Sequence, residues 1–115
     1  GPQRIAKAPN TTALAPGMIV SNEPGYYRAD GFGIRCENLV VVRESTRADE
    51  EQTMLEFEAI TLVPFDLRLL DASLMTPAEL DWLDSYHQRV AEVIGPLLDE
   101  NDRAWLEQAT RPVAA

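Results

Sequence analysis

Residues 18–42 read MIVSNEPGYYRADGFGIRCENLVVV, and the fold is decided here. Met18-Ile19-Val20 is a short β-favouring run. Residues 33–42 form a second one, ending in Leu39-Val40-Val41-Val42, and β-branched residues suit strands. Asp30-Gly31 is a turn signal between the two halves. Pro24-Gly25 interrupts regular pairing just after Glu23, because proline brings no N–H. Side chains alternate faces along a strand. Ile19, Ser21 and Glu23 therefore share a face, as do Arg35, Glu37, Leu39 and Val41. Ile34, Cys36, Asn38 and Val40 take the opposite one. A register that brings Glu23 to Glu37 would join two carboxylates beside Arg35.

Two carboxylates buried together repel, and one then takes up a proton unless a cation intervenes. Carboxylate oxygens bind hard and borderline divalent cations directly, and two-metal sites use several of them. Spacing alone favours a plainer reading, solvated hairpin glutamates paired with Arg28 and Arg35. Two glutamates by themselves do not define a metal site.

Asn22-Glu23-Pro24-Gly25-Tyr26-Tyr27 followed by Gly33-Ile34-Arg35-Cys36-Glu37-Asn38 closely resembles two signatures of the Xaa-Pro aminopeptidases. These are metallopeptidases of family M24 with the pita-bread fold, and the paired motifs separate them from methionine aminopeptidases. The resemblance implies an α+β fold: the C-terminal portion of a pita-bread catalytic domain, with antiparallel strands, over 1–65, then a helical C-terminal extension over 66–115. It implies that Glu23 and Glu37 are metal ligands, that Glu23 and Arg35 belong to the catalytic set, with Arg35 holding the ligand carboxylates in place, and that one of the two glutamates handles the proton of the water. The cofactor so implied is two divalent metal ions, Mn²⁺ first, with Zn²⁺ or Co²⁺ as alternatives. Members often carry an aliphatic residue where this chain has Cys36.

The family's dinuclear centre takes two further aspartates and a histidine from earlier in the chain. The resemblance thus implies the last part of an enzyme, inactive alone, with the remainder of the catalytic domain as its partner. The implied substrate is a peptide with proline at its second position. Thr61-Leu62-Val63-Pro64, Leu83-Asp84-Ser85-Tyr86-His87 and the tail from Trp105-Leu106 to Arg111-Pro112 resemble the extension of the larger, three-domain subgroup. There the extension packs on the catalytic domain and contributes to a homodimer. The apolar stripe with Trp82 and Trp105 suits such a contact and suits an intramolecular dock equally.

The 115 residues suffice for one modest core or two small subdomains, and 45% apolar content is ordinary for a globular chain. A net charge of −9 disfavours nucleic acid and anionic membranes as partners. No run is long and apolar enough to span a bilayer. One cysteine makes no internal disulfide and fits a reducing, cytoplasmic setting.

Residues 1–17 read as a polar arm, closed by a turn at Ala15-Pro16-Gly17 that launches the first strand. Residues 43–52, RESTRADEEQ, read as a solvated hairpin loop. Residues 54–63 alternate like a strand, with Glu56 and Glu58 as surface residues. Residues 67–74 read as an apolar linker. Thr76, Pro77 and Glu79 form a helix start with a capping box. The stripe from Leu80 to Leu98 predicts about six turns, kinked at Gly95-Pro96. A second helix is expected over 102–109, stopped by Pro112. Tyr26 and Tyr27 read as packing residues with surface hydroxyls, with the lining of a substrate cleft as the alternative. His87, with no neighbouring Cys, Asp or Glu at metal-ligand spacing, reads as structural or surface.

Two other functions fit the same residues. One is a non-enzymatic association module or vestigial chain working through its helices. The other is a prolidase- or creatinase-like hydrolase of the same fold.

Overall fold

The structure is a computed structural model describing residues 2–47 and 51–113. The 48–50 part of the charged run, Gly1 and the last two residues lie outside the described residues. The chain forms two units, Gly1–Thr61 and Leu62–Ala115.

The first unit is built on β1 (Ile19–Asn22), β2 (Gly25–Tyr27), β3 (Gly33–Arg35), β4 (Asn38–Glu44) and β5 (Leu55–Ala59). β1, β4 and β5 form one antiparallel sheet in that order, and β2 pairs with β3. The two runs expected as single strands are thus each divided, at Glu23-Pro24 and at Cys36-Glu37. Pro24 has no N–H for the ladder, and the pairing lapses there. One bond bridges the gap, Cys36 N–H to the Pro24 carbonyl at 3.0 Å.

Alternation along β4 sets the packing. Asn38, Val40 and Val42 are buried. Val20 faces Val40, Val40 faces Ala59, and Val42 faces Phe57. Burying each valine contributes about 1.5–3 kcal/mol. Phe57, opposite Val42, remains 48% exposed. On the opposite face Arg43 reaches both Glu56 and Glu58 at 2.8 Å. Those glutamates are cross-strand ion-pair partners as well as surface residues.

Two turns fix the ribbon. Met18 N–H donates to the Ala15 carbonyl at 3.1 Å, with Pro16 and Gly17 between them. Gly17 has φ +89°, the third position of a type II turn. Gly17 N–H donates to the Val42 carbonyl and Val42 N–H to the Met18 carbonyl, each at 2.8 Å. Two residues thus oppose one, a glycine-led bulge at the first strand's start. At the ribbon's far end, Gly31 N–H donates to the Arg28 carbonyl at 3.1 Å. Asp30 takes the left-handed conformation, φ 52°, which aspartate tolerates better than most residues.

The second unit carries α1 (Pro77–Ile94) and α2 (Glu100–Ala109). The capping box forms as expected: Thr76 N–H donates to Glu79 Oε2 at 2.8 Å, and Glu79 N–H to Thr76 Oγ1 at 3.3 Å. Leu83, Tyr86, His87 and Val90 are the buried face of α1, spaced as one helical stripe. Leu97, expected to extend that stripe, is 77% exposed. α1 stops at Ile94, and Gly95–Leu97 is a separate 3₁₀ turn. Pro96 cannot donate one turn back, so the helix ends there where a kinked continuation was expected. α2 starts two residues early because Asp99 caps it, accepting from Asp102 N–H at 2.9 Å. The expected linker holds two 3₁₀ turns, Leu67–Leu69 and Ala72–Leu74, capped by Asp66 and Asp71. Arg68 grips the Asp66 carboxylate at 2.7 Å and holds its pKa down at about 2.

A Cβ added at Gly17 would meet nothing within 4 Å, so substitution there is penalised by conformation alone. We expect Gly17→Ala to lower stability by about 1–2 kcal/mol, measured by urea unfolding. An unchanged midpoint would mean that the turn relaxes to another type.

Candidate metal-ligand face

β1 and β4 pair as far as Asn22↔Asn38, and β2 and β3 resume at Gly25↔Arg35. Each side advances three residues between those pairs, so the register is kept across the gap. Glu23 therefore lies opposite Glu37, and Pro24 opposite Cys36. The ribbon brings together the two glutamates singled out in the sequence. Arg35, the third such residue, lies beside them: its Nε is 3.2 Å from Glu37 Oε2. All three side chains are exposed. An ion pair so exposed contributes at most about 1 kcal/mol to stability.

Tyr27 belongs to this face as well. A Cβ built on Gly25 would lie 2.7 Å from the Tyr27 hydroxyl oxygen, and one on Gly33 2.8 Å from its ring. The ring thus lies along the ribbon across both glycines, with its hydroxyl over Gly25. That points the phenol back toward Glu23 and Glu37. Tyr27 thus packs on Gly25, beside it on the strand, and Gly33, opposite it in register, while remaining exposed. Tyr26 is on the other side of the strand, 6.0 Å from the Phe32 ring.

One feature escaped sequence reading. Leu39 N–H donates to Thr61 Oγ1 at 2.9 Å, and Asn38 Nδ2 donates to the Thr61 carbonyl at 3.2 Å. Thr61 therefore ties down the two residues that follow Glu37. No motif marks it.

Carboxylates are the right donors for a hard or borderline divalent cation, and Glu23 and Glu37 offer them from one face. The donor set fits such an ion in part. Among the described residues, no group of three or more His, Cys, Asp or Glu could hold a metal. Cys36 is exposed, with a free thiol.

His87 is structural. It is fully buried, with its ring against Phe65 and Tyr86. Its Nε2 accepts from Phe65 N–H at 3.0 Å, so the imidazole is neutral with its proton on Nδ1. That Nδ1 is buried without a hydrogen-bond partner. Next to it, Tyr86 Oη accepts from Val63 N–H at 3.3 Å and donates to the Val63 carbonyl at 2.7 Å. Burial lowers the His87 pKa below 6.5, and the nearby Asp84 carboxylate only partly offsets this.

Comparison with known proteins agrees with this architecture. A model of the C-terminal region of peptidase M24 matches residues 53–113. A model of metallopeptidase family M24 matches residues 1–44. The chain therefore belongs to metallopeptidase family M24 and carries that family's C-terminal region. It is 44% identical to a probable Xaa-Pro aminopeptidase P of Coprinopsis cinerea, covering 98% of this chain and 19% of that protein. It is 46% identical to aminopeptidase P2 of Arabidopsis thaliana, covering 99% and 17%. The X-prolyl aminopeptidase of Caenorhabditis elegans, described as a cytosolic enzyme with a di-nuclear active site, superposes with a TM-score of 0.82 at 32% identity. That match covers 95% of this chain and 18% of the other. The chain thus spans less than a fifth of the length of these relatives. The likeness extends over both units, so the antiparallel strands and the two helices match the corresponding part of a pita-bread enzyme. No helix among the described residues is long and apolar enough to cross a membrane.

The neutral His87 gives a pH test. Its folded pKa is depressed, so its contribution is fully present above the unfolded value of about 6.5. As pH falls below that, the unfolded chain takes up the proton first and the contribution is lost. We expect urea stability to decline between pH 7 and pH 5, by up to about 1.4 kcal/mol per pH unit. His87→Gln, which keeps an acceptor for Phe65 N–H, should flatten that decline. An equal slope in the variant would place the titration elsewhere.

Proposed function

We propose that this chain supplies two carboxylate ligands, Glu23 and Glu37, to the dinuclear metal centre of an Xaa-Pro aminopeptidase. The observation that carries this reading is the kept register, which sets the glutamates of two family motifs opposite one another with Arg35 on Glu37. Metallopeptidase family membership supports two metal ions, and Mn²⁺ is the metal we assign. Bound there, the ions would activate water and polarise the scissile carbonyl.

The residues of this chain have distinct tasks. Glu23 and Glu37 hold charge on one face of the ribbon. Arg35 orients Glu37, and a guanidinium left in place also limits the repulsion between two carboxylates. Glu23 is the carboxylate we assign to accept the proton of the attacking water, a role open to a positioned carboxylate. The Tyr27 hydroxyl lines the same face. The remaining ligands, two aspartates and a histidine, would come from polypeptide beyond this chain. The substrate is a peptide with proline second, and the setting is cytosolic, as for the nematode enzyme.

A second reading concerns association. Trp82 is 56% and Trp105 63% exposed on the helical unit, and exposed aromatics favour a self-association surface. Homodimer formation is therefore part of the proposal.

Three outcomes test it. The 115-residue chain alone should show no Mn²⁺-dependent cleavage of Xaa-Pro peptides. In the full-length protein, Glu23→Ala and Glu37→Ala should each reduce kcat/KM by about 10³-fold or more, several kcal/mol of transition-state stabilisation. Metal content should fall in parallel. Retained activity and metal in either variant would refute its ligand role.

A further inference from the structure

At the start of β4 the first unit departs from a regular ladder. Toward β1, pairing stops at Asn22↔Asn38. Toward β5, the last backbone bond runs from Ile60 N–H to the Leu39 carbonyl at 2.9 Å. In a regular antiparallel pair the Leu39 amide would return to the Ile60 carbonyl. It goes instead to the Thr61 hydroxyl at 2.9 Å. The Thr61 carbonyl takes the Asn38 side-chain amide at 3.2 Å. Asn38 is 8% exposed, and a buried amide is costly to leave unbonded.

Both bonds act on the two residues directly after Glu37. On its other side the ladder thins to one bond, Cys36 N–H to the Pro24 carbonyl at 3.0 Å. Without Thr61, Asn38 and Leu39 would lose these two ties toward β5, and the backbone after Glu37 would keep only its pairing with β1. We infer that Thr61 is a positioning residue for Glu37: its hydroxyl and carbonyl fix the backbone from which that carboxylate projects. The carboxylate is then presented to a divalent cation without ordering the chain at the moment of binding. Arg35 sets the carboxylate's orientation, and Thr61 sets the strand beneath it. The inference rests on the reading of Glu37 as a metal ligand.

The test uses the full-length protein with Mn²⁺ alone as the probe, titrated calorimetrically. Thr61→Val keeps the side chain's shape and removes the hydroxyl. Its Kd for Mn²⁺ should rise about 10-fold or more, the usual scale for residues that orient a ligand. Thr61→Ser, which restores the hydroxyl, should recover tight binding. If Thr61→Val does not fold, the unsubstituted protein still decides the matter. Coupling is reciprocal, so saturating Mn²⁺ should slow hydrogen exchange at the Leu39 amide. Unchanged Mn²⁺ affinity in Thr61→Val, even with a lowered Tm, would overturn the inference, as would Leu39 exchange indifferent to Mn²⁺. Glu37→Ala run alongside separates the two failures. If it weakens Mn²⁺ binding and Thr61→Val does not, the ligand reading stands and the positioning role falls. If Glu37→Ala binds Mn²⁺ as before, the ligand reading itself has failed.

Discussion

The first unit depends on β4 being hydrogen-bonded along both edges. It is the only strand of the three-stranded sheet in that position, and its inward face, Asn38, Val40 and Val42, holds the buried residues that β1 and β5 cover. A strand paired on two sides cannot slip by one residue without exchanging its faces. Slippage would turn Val40 and Val42 outward and draw Leu39 and Val41 in. The register is therefore strongly held, and the ribbon beyond it inherits that register through Asn22 and Asn38. This is how a packing constraint in the sheet fixes which residue faces Glu23.

The gap in the ladder has its own logic. Regular pairing through Pro24 would demand an N–H that proline lacks. The break releases the backbone of Glu23 and Cys36-Glu37 from strict strand geometry while the flanking pairs keep their places. Two carboxylates can then face one another because both are exposed to water, where a pair of charges interacts weakly, about 1 kcal/mol at 4 Å. Burial without a counter-charge would make the same arrangement unfavourable. The ribbon is stable with its acidic pair open and suited to accept positive charge there.

Much of this was legible in the sequence where the signal is local. Thr76-Pro77-Glu79 states its capping box outright, Pro16-Gly17 its turn, and the two glutamate motifs their shared face. What was not legible depends on partners far along the chain. Arg43 could not be matched to Glu56 and Glu58 before the β4–β5 register was known. Thr61 carries no motif, and its role comes from lying across from Asn38. The end of α1 at Ile94 was misjudged because proline can kink a helix or end one, and the stripe of Val93, Ile94 and Leu97 continues in sequence past the point where the helix stops. Asp99 then competes as a cap, starting α2 earlier than its apolar residues suggest.

The sheet also has a consequence for how the chain reaches this state. The β2–β3 ladder is nested within the β1–β4 ladder, and β4 pairs with β5, the next described strand in the chain. Among the described residues, every strand pairs antiparallel with one that lies near it in sequence, without a crossover. Such contacts close short loops and lower the contact order, which favours rapid folding. The turn around Asp30 can form first and the pairing can proceed outward from it, past the gap, to the valines that lock β4. The face bearing Glu23 and Glu37 would then be set early, by the ribbon's own closure.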